Sequence, residues 1–292
     1  MGILNSLVRR VYAAAFAMPP RVGMYVRNRT MPWGRPSLAY LELPLAEHCN
    51  LNCAGCLHYA PMSQPRLADI GSLRRDFARL SELFCNIRQI RIMGGEPLLH
   101  PHADEAVRIV RSAFPKARIS VVTNGLRLLG GLDDGTARLL AAMHESDAAV
   151  DWTSYPPVAG RADEIASVCE KACVRLNVEP KPEFLARILP KGGAGMRRSF
   201  RWCRERFFCP LLDDGRIYTC APARYADCYN KAGGTKIPPE RGIDIGEASA
   251  KDILYYLMCP AFACSFCAEG ARSFEWKANG TPSDWLYEKE MQ

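Results

Sequence analysis

The 292-residue sequence lacks a run of about 18 consecutive apolar residues, so no segment is expected to form a transmembrane helix. It contains no pattern resembling a Ser-His-Asp triad, a phosphate-binding P-loop or the paired carboxylates of a hydrolase. Its 13 cysteines are too sparse for a disulfide mini-protein, a class in which cysteine exceeds about 8–10% of residues. An odd number of cysteines also cannot be satisfied by intramolecular disulfides alone.

Acidic residues and lysine are missing from the first 36 residues, which contain six arginines. The remaining 256 residues hold 32 bases and 31 acids, so the net charge of +7 belongs almost wholly to the N-terminus. We expect residues 1–37 to form a basic N-terminal helix or arm. We expect no nucleic-acid partner, because the rest of the chain has no broad basic surface. A signal peptide is not expected, since the apolar run Val11–Met18 is short and ends at two prolines.

Strand-like and helix-like segments alternate along the first two thirds of the chain. The strand-like segments are residues 38–46, 87–93, 118–123, 148–152 and 174–178. This alternation has no hairpin signals and predicts an α/β fold with a parallel sheet. We expect a partial (β/α)6 TIM-like barrel over residues 38–198, with its chemistry in the loops that follow the strands.

The pattern changes after the glycine-rich stretch at residues 191–195, beyond which cysteines and aromatic residues become dense. The turn Asp213–Gly215 is flanked by apolar segments and predicts a small β-hairpin. Ser249 and Asp252 form a variant of the capping box at the start of a predicted helix. We therefore expect a small cysteine-rich α+β domain over residues 199–292.

Three cysteines follow the first predicted strand with the spacing C-x3-C-x2-C, namely Cys49, Cys53 and Cys56. Three thiolates in one short loop suit an iron–sulfur cluster or a zinc ion. Because structural zinc sites close all four positions, three ligands favour a site that leaves one metal position open. A zinc knuckle, or reactive thiols without metal, is the alternative.

Together with Gly94-Gly95-Glu96-Pro97 after the second strand, this triplet resembles the radical S-adenosylmethionine (SAM) superfamily. The resemblance implies a 4Fe–4S cluster on the three thiolates, with its open iron binding the methionine part of SAM. One-electron reduction then cleaves SAM to a 5′-deoxyadenosyl radical, which abstracts hydrogen from a substrate carbon.

The resemblance also implies further SAM contacts. Gly94 and Gly95 would let the backbone approach the ligand closely, and Glu96 would bind the SAM ammonium group. Asn124 and Ser154, at strand ends on the same rim, would reach the carboxylate or ribose hydroxyls, and ordinary turn chemistry is the alternative for both.

The family often has an aromatic residue just before the third cysteine, and this chain has Gly55 there. We therefore expect Leu57, His58 or Tyr59 to supply the adenine contact.

Four later cysteines, Cys203, Cys220, Cys264 and Cys267, resemble the SPASM/twitch extension of radical SAM enzymes. That resemblance implies one auxiliary 4Fe–4S cluster on two cysteines that flank the hairpin and two from a C-x2-C pair. A zinc ribbon is the alternative, and Cys209 is an alternative ligand to Cys203.

Six cysteines remain. The simplest interpretation of Cys85, Cys169 and Cys173 is that they are small, buried apolar residues. Cys209, Cys228 and Cys259 lie among the auxiliary ligands in sequence, where a thiol can return a hydrogen atom to a substrate radical. Inert packing is the alternative for each of these three.

The resemblance to radical SAM enzymes with one auxiliary cluster implies a substrate such as a sugar, an aminocyclitol or a nucleotide-linked sugar, and we expect an epimerase with a cysteine hydrogen donor. The alternatives are a dehydrogenase with the auxiliary cluster as electron acceptor, a peptide-modifying maturase, and a non-enzymatic zinc or iron–sulfur protein. The expected reductant is a flavodoxin or ferredoxin, and reduced thiolate clusters imply the cytoplasm.

Overall fold

The computed structural model describes residues 36–203, 209–233 and 235–287. Apart from its last two residues, the expected N-terminal arm (1–37) lies outside the described residues. Among the described helices, none combines the length and apolar character that a membrane-spanning helix needs.

The strands, in chain order, are β1 (Ser37–Leu38), β2 (Leu41–Ala46), β3 (Asn86–Ile87), β4 (Gln89–Gly94), β5 (Arg118–Thr123), β6 (Ala149–Ser154), β7 (Arg175–Pro180), β8 (Glu183–Ile188), β9 (Leu211–Asp213), β10 (Arg216–Tyr218), β11 (Ile243–Asp244) and β12 (Cys267–Glu275). The helices are α1 (Ile70–Leu83), α2 (Ala103–Ala113), α3 (Asp134–Glu145), α4 (Pro156–Ala159), α5 (Ala162–Lys171), α6 (Met196–Trp202), α7 (Ala221–Arg224), α8 (Ala226–Lys231) and α9 (Ala250–Tyr256). Short 3-10 turns cover Ala60–Met62, Pro97–Leu99, Leu126–Leu128, Phe262–Phe266 and Pro282–Trp285.

One central sheet has the strand order β11-β10-β9-β2-β4-β5-β6-β7. Strands β2, β4, β5, β6 and β7 are parallel to their neighbours. This confirms the expected α/β fold with a parallel barrel-like sheet. All six residues of β2 are buried, as expected for an inner strand of a parallel sheet that is covered on both faces.

The helices begin and pack as their sequences dictate. In α1, the Asp69 carboxylate accepts a 2.7 Å hydrogen bond from the Ser72 amide, and this caps the first turn. Leu73, Phe77 and Leu80 follow at helical spacing and are buried in the main core. The capping box predicted at Ser249 and Asp252 is confirmed at the start of α9.

The central sheet continues past residue 198 into the predicted hairpin. Strand β9 pairs in parallel with β2 through Glu42 and Leu211, and β10 runs antiparallel to β9. Leu212 of β9 packs in the same apolar core as the barrel strands. Across this junction, Arg66 Nη2 lies 2.6 Å from Asp213 Oδ1. The domain boundary near residue 198 therefore stays a prediction, and the sheet is common to both sides of it.

In a second, antiparallel sheet, strand β8 pairs with strand β12, although the two strands are far apart in sequence. Phe184 of β8 lies opposite Phe274 of β12 in this pairing. The parallel strands of the central sheet all end on the same rim, and the cysteine loop leaves β2 there. That rim, with the β8–β12 sheet beside it, holds the candidate site.

Candidate functional site

The thiols of Cys49, Cys53 and Cys56 line one cavity of about 550 Å³ at the strand-end rim. All three come from the loop that follows β2. Strand residues that reach the same cavity include Thr123 at the end of β5 and Thr153 near the end of β6. The topology therefore places the cysteine triplet where a parallel α/β sheet concentrates its chemistry.

The three thiols lie close enough together to influence one another electrostatically. Burial raises the pKa of Cys49 to about 12 and that of Cys53 to about 12, and the Cys56 thiol adds to both shifts. Burial also raises the pKa of Cys56. Without a bound cation the thiols are protonated at neutral pH, so binding of a metal group here must release protons.

The donor set is chemically suited to an iron–sulfur cluster. Three thiols that line one cavity match the thiolate ligation of a multi-iron cluster that keeps one iron accessible.

Glu96 is buried outside the cavity lining, and its carboxylate joins the segments that follow β4 and β5. Its Oε1 accepts hydrogen bonds from the Leu98 amide at 3.0 Å and from Thr123 Oγ1 at 2.8 Å, and its Oε2 accepts one from the Asn124 amide at 2.9 Å. Burial raises its pKa to about 7. The structure thus gives Glu96 a positioning role, and its predicted contact with the SAM ammonium group stays a prediction.

Asn124 connects this network to the cysteine loop. Its Nδ2 donates to Asn50 Oδ1 at 2.8 Å and lies 3.5 Å from Cys49 Sγ. The residue also lines the cavity. Ser154, by contrast, does not contribute to the cavity wall, whereas its neighbours Thr153 and Tyr155 do. The side chains of a strand alternate between faces, which accounts for this difference.

Gly94 and Gly95 are required by contacts within the chain as well as by their place in the cavity wall. A Cβ on Gly94 would lie 2.3 Å from the Ala46 carbonyl oxygen, and one on Gly95 would lie 2.0 Å from that of His48. The two glycines therefore let the end of β4 press against the start of the cysteine loop. From the sequence we expect this freedom to serve the approach of a ligand, whereas the structure shows that backbone packing already requires it.

The space beside Gly55 is filled from the β8–β12 sheet. A Cβ on Gly55 would lie 2.8 Å from the ring of Phe274 and 3.0 Å from Phe184 Cβ. Phe184 lines the cavity and stacks on Tyr155, with 5.9 Å between ring centroids. Aromatic side chains from distant segments thus occupy the region where the family places an aromatic residue of the cysteine loop.

The three residues expected to replace that aromatic residue divide between two environments. Leu57 and His58 line the cavity. Tyr59 is fully buried elsewhere and stacks on Tyr229, with ring centroids 4.8 Å apart. Burial lowers the pKa of His58 to about 4, so its imidazole is neutral at pH 7.

The four candidate auxiliary ligands come together in the C-terminal region. The thiols of Cys267 and Cys203 raise the pKa of Cys264, which burial brings to about 12. The thiols of Cys264 and Cys267 likewise add to the burial that raises the pKa of Cys220. These electrostatic contacts link Cys220 with Cys264 and Cys267, and Cys203 with Cys264 and Cys267. This grouping favours Cys203 over Cys209 as a ligand of the auxiliary cluster, and the ligand set stays a prediction.

The three spare thiols lie in three different places. Cys209 is buried and lines the same cavity as the cysteine triplet. Cys228 Sγ lies 3.6 Å from Ser63 Oγ, and Cys259 follows α9; neither contributes to the cavity wall. Their proposed hydrogen-donor roles stay predictions, and Cys209 is the thiol whose position suits one.

The cavity is also lined by charged and polar side chains that the sequence analysis did not predict: Tyr40, Glu42, Arg91, Glu179, Lys181 and Arg187. Tyr40 Oη donates to Glu42 Oε1 at 3.1 Å, and His58 Nε2 lies 3.8 Å from Glu42 Oε2. One signal was present in the sequence, because Glu42 interrupts an otherwise apolar strand. Buried carboxylates of this kind are retained for a contact they make.

Comparison with known proteins agrees with this geometry. The family model described as "Radical SAM superfamily" matches residues 43–166. This segment is a radical SAM domain. It contains the cysteine triplet, and radical SAM domains bind a 4Fe–4S cluster and SAM, which the thiol-lined cavity has the donors and the room to hold.

Curated relatives match part of this chain. GTP 3′,8-cyclase of Chlorobaculum tepidum is 34% identical over 94 residues, which are 32% of this chain and 28% of that protein. GTP 3′,8-cyclase of Synechococcus elongatus is 28% identical over 141 residues, which are 46% of this chain and 42% of that protein. The chain thus spans less than half the length of either relative.

Solved structures resemble a larger share of this chain, at lower sequence identity. BtrN in complex with AdoMet and 2-DOIA has a TM-score of 0.43 and 16% identity, covering 74% of this chain and 82% of that one. Native anSMEcpe with bound AdoMet has a TM-score of 0.49 and 14% identity, covering 79% and 83%. At these values the resemblance bears on neither substrate nor reaction.

Proposed function

We propose that this chain is a radical SAM epimerase in which Cys209 returns a hydrogen atom to the substrate. One observation carries the proposal: Cys209 lines the cavity that the triplet Cys49, Cys53 and Cys56 also lines, whereas Cys228 and Cys259 do not. A hydrogen donor must reach the carbon from which hydrogen was removed, and one shared cavity meets that requirement.

When bound, the cluster and SAM supply a 5′-deoxyadenosyl radical that removes a hydrogen atom from a substrate carbon. Cys209 then acts on the opposite face of that carbon, where its S–H bond breaks and a new C–H bond forms with inverted configuration. The sulfur is left as a thiyl radical, and one electron and one proton restore the thiol. Cys203, Cys220, Cys264 and Cys267 would hold the auxiliary cluster, which would supply this electron, with a flavodoxin or ferredoxin as the reductant.

The cavity wall supports a small, polar substrate. Lys181, Arg91 and Arg187 provide cationic groups, and Glu42 and Glu179 provide carboxylates on the same wall. Opposed charges of this kind recognise hydroxyl and amino groups better than an apolar surface does. The substrate class we propose is therefore a sugar, an aminocyclitol or a nucleotide-linked sugar.

A second candidate is two-electron oxidation of an alcohol carbon. It is favoured by the convergence of the four auxiliary thiols, because a second cluster can accept the electron that such an oxidation releases. Cyclisation, the reaction of the curated relatives, is not proposed, since the similarity is confined to less than half of their length.

The test is anaerobic incubation of the reconstituted protein with SAM, dithionite and a panel of sugars, aminocyclitols and nucleotide sugars in D2O. The proposal predicts a product of inverted configuration that carries one solvent-derived deuterium, because the Cys209 S–H exchanges with solvent. Cys209→Ala is expected to form 5′-deoxyadenosine without the epimer, and the matched control Cys259→Ala is expected to form both. A product two hydrogens lighter would favour oxidation, and epimerisation by Cys209→Ala would rule out this donor.

A further inference from the structure

The segment 276–280, which we call the clamp, lies directly on the cysteine loop. The Ala54 amide donates to the Lys277 carbonyl at 2.9 Å, and the Asn279 amide donates to the Asn52 carbonyl at 2.8 Å. A Cβ on Gly280 would lie only 2.6 Å from Ala54 Cα. The clamp and the loop are thus joined along their backbones, as two short strands would be.

Trp276, at the start of the clamp, is the side chain that reaches a ligand sulfur. Its Nε1 donates to Cys53 Sγ at 3.0 Å. The backbone of Trp276 is itself fixed, because its amide donates to the Pro182 carbonyl at 2.7 Å. Its indole packs against the apolar residues around Cys53 and Phe184. The donor is therefore held in place from two sides.

Trp276 also connects the two halves of the chain. It follows β12, whose first residue is the auxiliary-site cysteine Cys267. Strand β12, which carries the auxiliary thiol of Cys267, is therefore followed directly by the residue that donates a hydrogen bond to the Cys53 thiol.

A donor to a cluster sulfur changes the redox balance of the cluster. Reduction adds a negative charge that is shared with the thiolate ligands, and an N–H group aimed at a ligand sulfur stabilises that charge. Groups that orient and hydrogen-bond the ligands of a metal site tune it in this way. Removal of the N–H group is therefore expected to make the cluster harder to reduce.

We propose that Trp276 is a positioning residue of the cluster site, whose indole N–H, held by the clamp, donates to Cys53 Sγ and raises the reduction potential of the cluster. This inference rests on the cluster-binding part of the proposed function, and it is independent of the substrate and of the role of Cys209.

The test is a potentiometric titration of the anaerobically reconstituted holoprotein, followed by electron paramagnetic resonance (EPR) without substrate. The signal that changes when SAM is added identifies the cluster on the triplet. Trp276→Phe keeps a ring but removes the N–H group, and Trp276→His restores an N–H donor. Trp285→Phe is the matched control, because Trp285 Nε1 donates to the Cys56 carbonyl at 2.8 Å and to no ligand sulfur.

The proposal predicts a lower potential in Trp276→Phe than in the wild type, with a potential in Trp276→His that lies nearer the wild type and an unchanged potential in Trp285→Phe. If Trp276→Phe fails to assemble the cluster while Trp276→His assembles it, the N–H group is again shown to matter. Equal potentials in the wild type and Trp276→Phe would overturn the proposal, as would loss of cluster assembly in both Trp276 variants with assembly kept in Trp285→Phe. Absence of any cluster in the wild type would instead refute the proposed function itself.

Discussion

Thr123 Oγ1 donates a 2.8 Å hydrogen bond to Glu96 Oε1 and so joins the end of β5 to the segment that follows β4. Glu96 also receives the Asn124 amide, and the Asn124 side chain contacts Asn50 and Cys49. A chain of hydrogen bonds thus runs from a buried carboxylate to the cysteine loop. The protonation state of that carboxylate should therefore affect stability.

Glu96→Gln is expected to remove a pH dependence of the free energy of unfolding. Burial raises the pKa of Glu96 in the folded protein to about 7 from an ordinary value of 4.5. Folding favours the protonated Glu96 carboxyl. The stabilisation of the folded protein by this group is therefore fully present below pH 4.5 and is lost as the pH rises to 7. The difference between wild type and Glu96→Gln should change by about 3 kcal/mol across that window.

Urea unfolding of the apoprotein between pH 4.5 and pH 8 measures this difference. Glu170→Gln is the control, because Glu170 is exposed and this variant keeps the Glu96 carboxylate. A difference between wild type and Glu96→Gln that stays constant with pH would contradict the raised pKa.

Gly95→Ala is expected to destabilise the protein by about 2 kcal/mol or more, because the added Cβ would collide with the backbone of the cysteine loop. The clash, 2.0 Å from the His48 carbonyl oxygen, involves backbone rather than a movable side chain. Gly160→Ala is the matched control, since nothing lies within 4 Å of a Cβ at that position. Urea midpoints of the two variants decide the matter, and equal midpoints would show that the loop can move aside.

Cys203→Ala is expected to lower the bound iron from two clusters to one, because Cys203 lies among the auxiliary thiols. Cys209→Ala should retain both clusters, since Cys209 lines the cavity of the cysteine triplet and is not counted among the ligands of either cluster. Iron and sulfide analysis after anaerobic reconstitution measures the difference. Loss of iron in Cys209→Ala with none in Cys203→Ala would reverse the assignment.

The elements that sequence predicted are those with a local cause. Strand β4 alternates buried and half-buried residues, the Asp213–Gly215 turn closes a hairpin, and Ser249 caps α9. Each of these signals lies within a few neighbouring residues, where propensity, periodicity and turn chemistry act. The same holds for the cysteine triplet, because the spacing of its three residues within one loop predicts a metal-binding site.

The parts that sequence could not show depend on contacts between distant residues. The pairing of Phe184 with Phe274 joins strands β8 and β12, and it alone reveals what fills the space beside Gly55. The hydrogen bond from Trp276 to Cys53 spans 223 positions. No pattern in the neighbouring sequence predicts that Cys209 lines the cavity either, because the position of this residue depends on the pairing of β9 with β2.

The most direct test of the account is SAM cleavage by the anaerobically reconstituted protein with dithionite as reductant. We expect a coloured iron–sulfur protein that forms 5′-deoxyadenosine and methionine, with cleavage lost in Cys53→Ala and kept in Cys173→Ala, an exposed cysteine outside both thiol sets. A colourless protein that binds only zinc, or a Cys53→Ala variant that cleaves SAM as fast as the wild type, would contradict the assignment of the triplet.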